Sequence, residues 1–429
     1  MARVIHIRPS NDGLTLASAL RKILGPSVPW SEIKRLVAKR YITVNGNLCV
    51  DEGRRVKSGD VLHLHDQPRP PLPDEDDIRI VHLDEHLIVI DKPAGLTTLR
   101  HHEETDLPQK RKDKAPTLDE LLTRKLTAMF HAAHARAVAR RSPRPPSRRP
   151  ARPDTLPATP QRPAPPPHPL RGPPSAPPRS DAHATPTALN AGPTDPMAVL
   201  RRMPVPPRLR PVHRLDRDTS GLMLFALSPA AEAALERDFA RHAVDRRYLA
   251  IVHGQLTQPR TLETWIVRDR GDGLRGSSPL GAAAEAHGGQ RAVTHITPVD
   301  TAGDYTVVEC RLETGRTHQI RIHLSELGHP LAGEKLYTTR PPSPHDPPRH
   351  ALHSHRLAFT HPITGLRLAF ESPLPRDLSA FLRRARHPPH LSPTPSPPSS
   401  PPPPAALPPS ASPTPFPEPP PPARGDSPP

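Results

Sequence analysis

His213-Arg214-Leu215-Asp216-Arg217-Asp218-Thr219-Ser220-Gly221-Leu222 crowds five ionisable side chains, His213, Arg214, Asp216, Arg217 and Asp218, into a polar turn directly ahead of the apolar run Leu222 to Leu227. A polar turn followed by such a run predicts a loop at the mouth of a buried strand, with Asp216 near the strand's entrance. Most charge clusters are solvated, salt-bridged loops. One fixed to the start of a buried strand sits at the edge of a core instead, where carboxylates and cations can act on a bound molecule.

Outward from this stretch, composition bounds how much of the chain can fold. The 429 residues include 67 prolines, and only 34% are hydrophobic, so a large part cannot bury enough apolar surface to offset its ordering entropy. Proline is densest between about residues 142 and 211 and beyond about residue 388. The segment 141–203, with runs such as SPRPPSRRPARP, and the tail 388–429 are expected to be disordered, with polyproline character. A formal charge of +16 suits an anionic partner, although arginines of the proline-rich insert supply part of it. Cys49 and Cys310 stand alone, without disulfide or metal-ligand spacing, and no metal site is expected. The N-terminus lacks an apolar signal core and no run of about 18 apolar residues occurs, which predicts a cytoplasmic protein without membrane contact.

Residues 14–67 read as a unit of their own. Leu16, Ala19, Leu20, Ile23 and Leu24 recur at helical spacing until Gly25-Pro26, and a second helix begins near Ser31. Tyr41 to Val44 alternates into the turn Asn45-Gly46, and Val61 to Leu64 follows the turn Ser58-Gly59-Asp60 as a further strand. Lys34, Arg35, Lys39 and Arg40 gather about the second helix and its end, where they could meet phosphates. Two helices followed by this turn chemistry resemble the small RNA-binding domain first known from a ribosomal small-subunit protein.

Beyond an acidic, proline-containing linker, strands are expected at 78–82 and 87–90, ending in Asp91-Lys92-Pro93-Ala94-Gly95-Leu96. A helix is expected over 117–140 with Thr117 as its cap, and another over Pro229 to His242. Val244 to Gly254 alternates as a strand with Arg246 and Tyr248 on one side. Residues 270–290 read as a loop, Ala292 to Pro298 and Tyr305 to Leu312 as strands. The segment after Gly315 reads as a helix capped by Thr317 and stopped by Gly328. Closing strands are expected from Ala351 to Pro375.

Four of these segments share a resemblance. HRLDRDTSGL resembles the signature of the RluA-type pseudouridine synthases, VDRRYLAIVHG their second motif, and ETGRTHQIRIHLSELGHPLAGEKLY their third; DEHLIVIDKPAGL resembles their first. Arg246 stands where that family more often has Lys, and Gly333-Glu334 where it usually has Gly-Asp. The resemblance covers about residues 14–100 and 205–380. It implies an α+β fold, with a catalytic domain (78–100 and 204–380) on a mixed, mainly antiparallel sheet, plus the small α/β RNA-binding unit.

The implied activity is isomerisation of uridine to pseudouridine, which needs no cofactor because no atom is gained or lost. By the resemblance, Asp216 is the nucleophile or charge stabiliser beside the ribose. A carboxylate that must stay ionised while partly desolvated needs a cation, and the resemblance assigns Arg321, with Arg316 second. Tyr248 would stack on the base and accept a proton. Arg214 would fill the space left by a flipped-out uridine. His213, Gln319 and Lys92 complete the expected substrate-binding set. RNA is the implied partner, large-subunit ribosomal RNA ahead of transfer RNA, bound by a monomer. The alternative is a noncatalytic RNA-binding or ribosome-assembly protein that keeps a synthase-like shell.

Overall fold

A computed structural model describes residues 3–44, 47–69, 71–100, 105–106, 108–141, 187–189, 195–341, 343 and 345–387. The Asn45-Gly46 turn, the tail 388–429 and most of the proline-rich insert lie outside the described residues.

The N-terminal unit opens with a strand that the sequence reading did not include: β1 (Arg3–His6) pairs antiparallel with β4 (Val61–Leu64). Between them come α1 (Leu16–Leu24), α2 (Trp30–Ala38), β2 (Ile42–Val44) and β3 (Asn47–Leu48), in a four-stranded sheet ordered β1-β4-β2-β3. Thr15 accepts a hydrogen bond from Ser18 N at the start of α1, and Gly25 ends that helix with φ +95°. Leu16, Leu20, Ile33, Ile42, Val44 and Leu62 close a small core of their own.

The second sheet has twelve strands. Its path runs β12 (Gly276–Ser277), β11 (Arg260–Val267), β13 (Gln290–Ala302), β14 (Tyr305–Leu312), β10 (Asp245–His253), β15 (Leu352–Thr360), β9 (Ser220–Ala226), β6 (Leu87–Lys92) and β5 (Arg79–Leu83). Off this path, β16 (Arg367–Glu371) joins β15 and β7 (Thr187–Ala188), and β8 (Arg210–Pro211) joins β9. Every pairing is antiparallel except β9 with β15, which meet in parallel at His353↔Ser220 and Ser354↔Gly221. The mixed, mainly antiparallel α+β architecture therefore agrees with the expected fold class.

Both faces of the central strands are covered, which explains their unbroken apolar runs. Ile88, Ile90, Met223 and Phe225 face one core, while Leu87, Val89, Leu222 and Leu224 face another. The first core is roofed by α4 (Leu118–Arg141), through Leu118, Leu122, Leu126 and Phe130, and by α7 (Gln319–Glu326). The second lies under α6 (Pro229–Ala240), where Ser228 caps the helix by accepting from Ala231 N. Short α3 (Gln109–Lys112) precedes α4.

Several expectations need correction. The segment 195–203 is not disordered: Asp195 caps α5 (Pro196–Arg202), and Val199, Leu200 and Met203 are buried against the α4 side. The proline-rich average over 141–203 concealed a short apolar cluster with its own cap. β11 and a final helix, α8 (Arg376–Arg386), were not foreseen, and the loop 270–290 holds β12 and a 3-10 turn at Gly281–His287. α7 is not capped by Thr317; its N-cap is His318, left-handed at φ 60° and with no side-chain cap hydrogen bond.

Candidate active site

The loop from His213 leads into β9 and is tied down at Leu215, Arg217, Asp218 and Thr219. Thr98 Oγ1 donates to Leu215 O at 2.7 Å and accepts from Leu215 N at 3.2 Å. The fully buried Lys92 directs Nζ to Arg217 O and Thr219 O, both 2.9 Å away, and to Pro93 O at 3.1 Å. Arg349, itself gripped by Asp377, donates to Asp218 O at 2.9 Å. Gly95 N donates to Arg217 O at 2.8 Å, and Arg217 Nε returns the bond to Gly95 O at 3.0 Å. Asp216 is thereby presented on a rigid backbone, its side chain 18% exposed.

A cavity of about 530 Å³ opens above it, walled by the loop, by Phe239 of α6 and His242 just after it, by Arg246 and Tyr248 of β10, and by the turn into α7. Arg321, on the first turn of α7, points Nη1 at Asp216 Oδ2 from 3.5 Å. Its other edge is held by Glu334, with Nε to Oε2 at 2.9 Å and Nη2 to Oε1 at 2.7 Å. Burial would depress the guanidinium's pKa, but the Glu334 hydrogen bonds and charge outweigh it and push the value up. Burial likewise works against the Glu334 carboxylate, yet Arg321 and the backbone N–H of Leu336 hold it well below its ordinary range. His318 Nε2 lies 3.8 Å from Asp216 Oδ2, while its Nδ1 shares a 2.7 Å hydrogen bond with Tyr337 Oη.

The expected catalytic set, Asp216, Tyr248 and Arg321, thus lines one cavity together with Arg214 and Arg316. Arg214 is exposed at the mouth and Arg316 half-buried. Tyr248 is 6% exposed, and burial foremost raises its pKa.

Three expected substrate contacts do other work. Lys92 Nζ is enclosed by Pro93 O and by two carbonyls of the loop, Arg217 O and Thr219 O, which it anchors. Gln319 spends its amide on Val293 O at 3.0 Å and Thr294 Oγ1 at 2.9 Å, and its carbonyl on Thr314 Oγ1 and Arg316 N, closing the turn before α7. His213 lines the cavity but accepts a 3.0 Å hydrogen bond from Leu224 N and stacks on Phe239, supporting β9. On α2, Lys34 and Lys39 are exposed, whereas Arg35 is bidentate to Glu32 and Arg40 donates to Arg69 O at 2.8 Å. No group of three or more His, Cys, Asp or Glu able to hold a metal occurs among the described residues.

Residues 180–326 match the family described as RNA pseudouridylate synthase. The chain is similar to "Ribosomal large subunit pseudouridine synthase D" of Nitrosomonas europaea, 40% identical over 194 residues, or 43% of this chain and 54% of the relative. It is similar also to the "Uncharacterized RNA pseudouridine synthase YlyB" of Bacillus subtilis, 40% identical over 176 residues, 41% of this chain and 55% of the relative. The chain spans about half the length of the curated relatives it matches. A solved structure, "Human RNA Pseudouridylate Synthase Domain Containing 4", aligns over 72% of this chain and 93% of its own at 19% identity, with a TM-score of 0.44.

Glu334 and His318 were not legible as site residues. The spacing from Arg321 to Glu334 crosses a helix end and a turn, so no periodicity pairs them.

Proposed function

We propose that this protein is an RNA pseudouridine synthase in which Asp216 reacts with a uridine flipped into the cavity. The observation that carries the proposal is the 3.5 Å approach of Arg321 Nη1 to Asp216 Oδ2 in a cavity where Asp216 is the lone carboxylate among the lining residues. Isomerisation breaks the bond from base N1 to ribose C1′, turns the base and joins C5 to C1′; C5 gives up a proton and N1 gains one. Asp216 supplies the anionic oxygen for the sugar or base during the break. Arg321 offsets its charge, and Glu334 fixes the guanidinium so that one N–H remains for that carboxylate. Tyr248, with Leu312 and Leu352 beside it, gives the base an apolar wall from which water is excluded.

Extrusion of the base costs about a few kcal/mol, and Arg214, exposed among the cavity-lining residues, fills the vacated stack in this reading. RNA as the partner is supported by exposed Lys34 and Lys39 on α2 and by a second hollow of about 790 Å³ beside β11, lined in part by Arg268, Arg275 and His287. Relatives named "Ribosomal large subunit pseudouridine synthase D" favour large-subunit ribosomal RNA. The test is to map pseudouridines in cellular RNA with the gene present, deleted, or replaced by Asp216→Asn. Loss of the same pseudouridine in the deletion and in Asp216→Asn, with RNA affinity retained by the variant, is expected. An unchanged map in Asp216→Asn would leave the noncatalytic RNA-binding alternative.

A further inference from the structure

Arg246 is the one cavity-lining guanidinium that is buried without an acid beside it. It is 7% exposed on β10, and no carboxylate of the described residues lies within ion-pair distance of it, whereas Arg321 on the same cavity faces Glu334 and Asp216. Its protein contacts are sparse. Nη2 donates to Glu313 O at 3.0 Å, the guanidinium carbon lies 5.4 Å from the Phe239 ring centroid, and buried Nε has no hydrogen-bond partner. Space is reserved for the group: a Cβ on Gly315 would come within 2.5 Å of Nη1. Arg316, the next residue, lines the same wall and also pairs with no carboxylate among the described residues. Counting the lining, four arginines, Arg214, Arg246, Arg316 and Arg321, face a single acid, Asp216.

A desolvated cation without a counter-ion is costly, and burial does lower the pKa of Arg246. A fold that holds one at a cavity wall gains from it when the occupant brings negative charge. A uridine base carries none, and its ribose carries none; the phosphodiester of an RNA strand does.

We propose that Arg246 and Arg316 form an anion subsite that takes a phosphodiester flanking the uridine held at Asp216, which rests on the reading of the cavity as a uridine site. The guanidinium then acts on the strand rather than on the reacting base. Binding charge-assists the seating of the nucleotide, and a free nucleoside, lacking phosphate, leaves Arg246 uncompensated.

The experiment measures affinity of the full-length protein for a fluorescent oligouridylate as a function of salt, for the unaltered protein, Arg246→Met, Arg246→Lys and Asp216→Asn, with thermal denaturation of each in parallel. Arg246→Met is expected to bind about tenfold more weakly at moderate salt. Its slope of log affinity against log salt should be shallower by about 0.7, the value for one phosphate contact on a single strand. Its Tm should be unchanged or raised, because the substitution removes an unpaired buried charge. Arg246→Lys should recover most of the slope, and Asp216→Asn should keep all of it. An unchanged slope in Arg246→Met, or a weakening accompanied by a Tm loss of several degrees in both Arg246 variants, overturns the subsite and makes Arg246 a structural support for the Glu313 turn. Neither result touches the uridine reading, which stands or falls on the pseudouridine map of Asp216→Asn.

Discussion

Arg321 gives Nε and Nη2 to Glu334 and keeps Nη1 3.5 Å from Asp216 Oδ2, so one guanidinium is clamped by one carboxylate and presented to another. The two contacts are unequal. Glu334 is nearly fully buried and holds the shorter, bidentate geometry; Asp216 has the longer bond and the cavity. This division leaves Asp216 available to a ligand without leaving it unaccompanied.

Glu334→Gln should therefore act on the reaction through Arg321. It keeps the shape but removes the charge that fixes the guanidinium, leaving a buried cation poorly matched. Stability should fall by about 3 kcal/mol and the rate constant for conversion by about 10- to 100-fold, with a smaller change in KM. Glu334→Asp, retaining charge on a shorter arm, should lie between. Urea denaturation and single-turnover conversion of an RNA substrate check both.

Lys92→Met should loosen the Asp216 loop. The loop carbonyls of Arg217 and Thr219, and that of Pro93, would lose their common donor in the core. An unpaired buried acceptor costs about 1–3 kcal/mol, so a loss of at least about 3 kcal/mol is expected, with activity reduced even where the fold survives. The urea midpoint and the protection of amides 216–219 from hydrogen exchange report it.

Gly221→Ala should prevent the parallel junction of β9 with β15. Gly221 has φ +113°, and an added Cβ would stand 2.3 Å from Ser354 O and 2.7 Å from Ser354 N. Both obstacles are backbone and cannot swing away. A loss of about 3–5 kcal/mol, or failure to accumulate as folded protein, is expected in circular dichroism melts.

Acid should unfold the protein through imidazoles, half-buried His213 and buried His353, that the fold keeps neutral. His213 uses Nε2 as an acceptor for Leu224 N, and burial first of all lowers its pKa to about 3; His353 is lowered to about 3 in the same way. Unfolded histidine titrates near pH 6.5, so the unfolded chain takes up protons that the fold refuses. Stability should be full above about pH 6.5 and fall as pH drops toward 3, each such histidine adding at most about 1.4 kcal/mol per pH unit. His213→Gln should be less stable at pH 7 yet lose stability less steeply between pH 6.5 and 5 in urea titrations.

Much of this was legible locally. The apolar run after Gly221 specified β9, the alternation around Tyr248 specified β10, and the apolar stripes, with Pro229 opening α6 and Gly328 stopping α7, placed α4, α6 and α7 within a residue or two. Those signals survive in sequence because they depend on neighbours one to four residues apart. Misses came where local averages hid local order, as with α5 inside a proline-rich segment. Others came where a residue's surroundings reversed its expected role: Lys92 and Gln319, polar and in motifs, turned inward to satisfy backbone groups rather than a ligand.

The sequence by itself determined the strand and helix periods, the α+β class, and the positions of Asp216, Tyr248 and Arg321 in three separate motifs. Only the tertiary structure decided that Glu334 holds Arg321, that His318 stands beside Asp216, and that Arg246 is buried with no carboxylate of the described residues within ion-pair distance. Periodicity encodes which face of an element is apolar. Charge compensation depends on distances between elements far apart in the chain, and those distances exist only once the sheet has brought β9, β10 and α7 around one cavity.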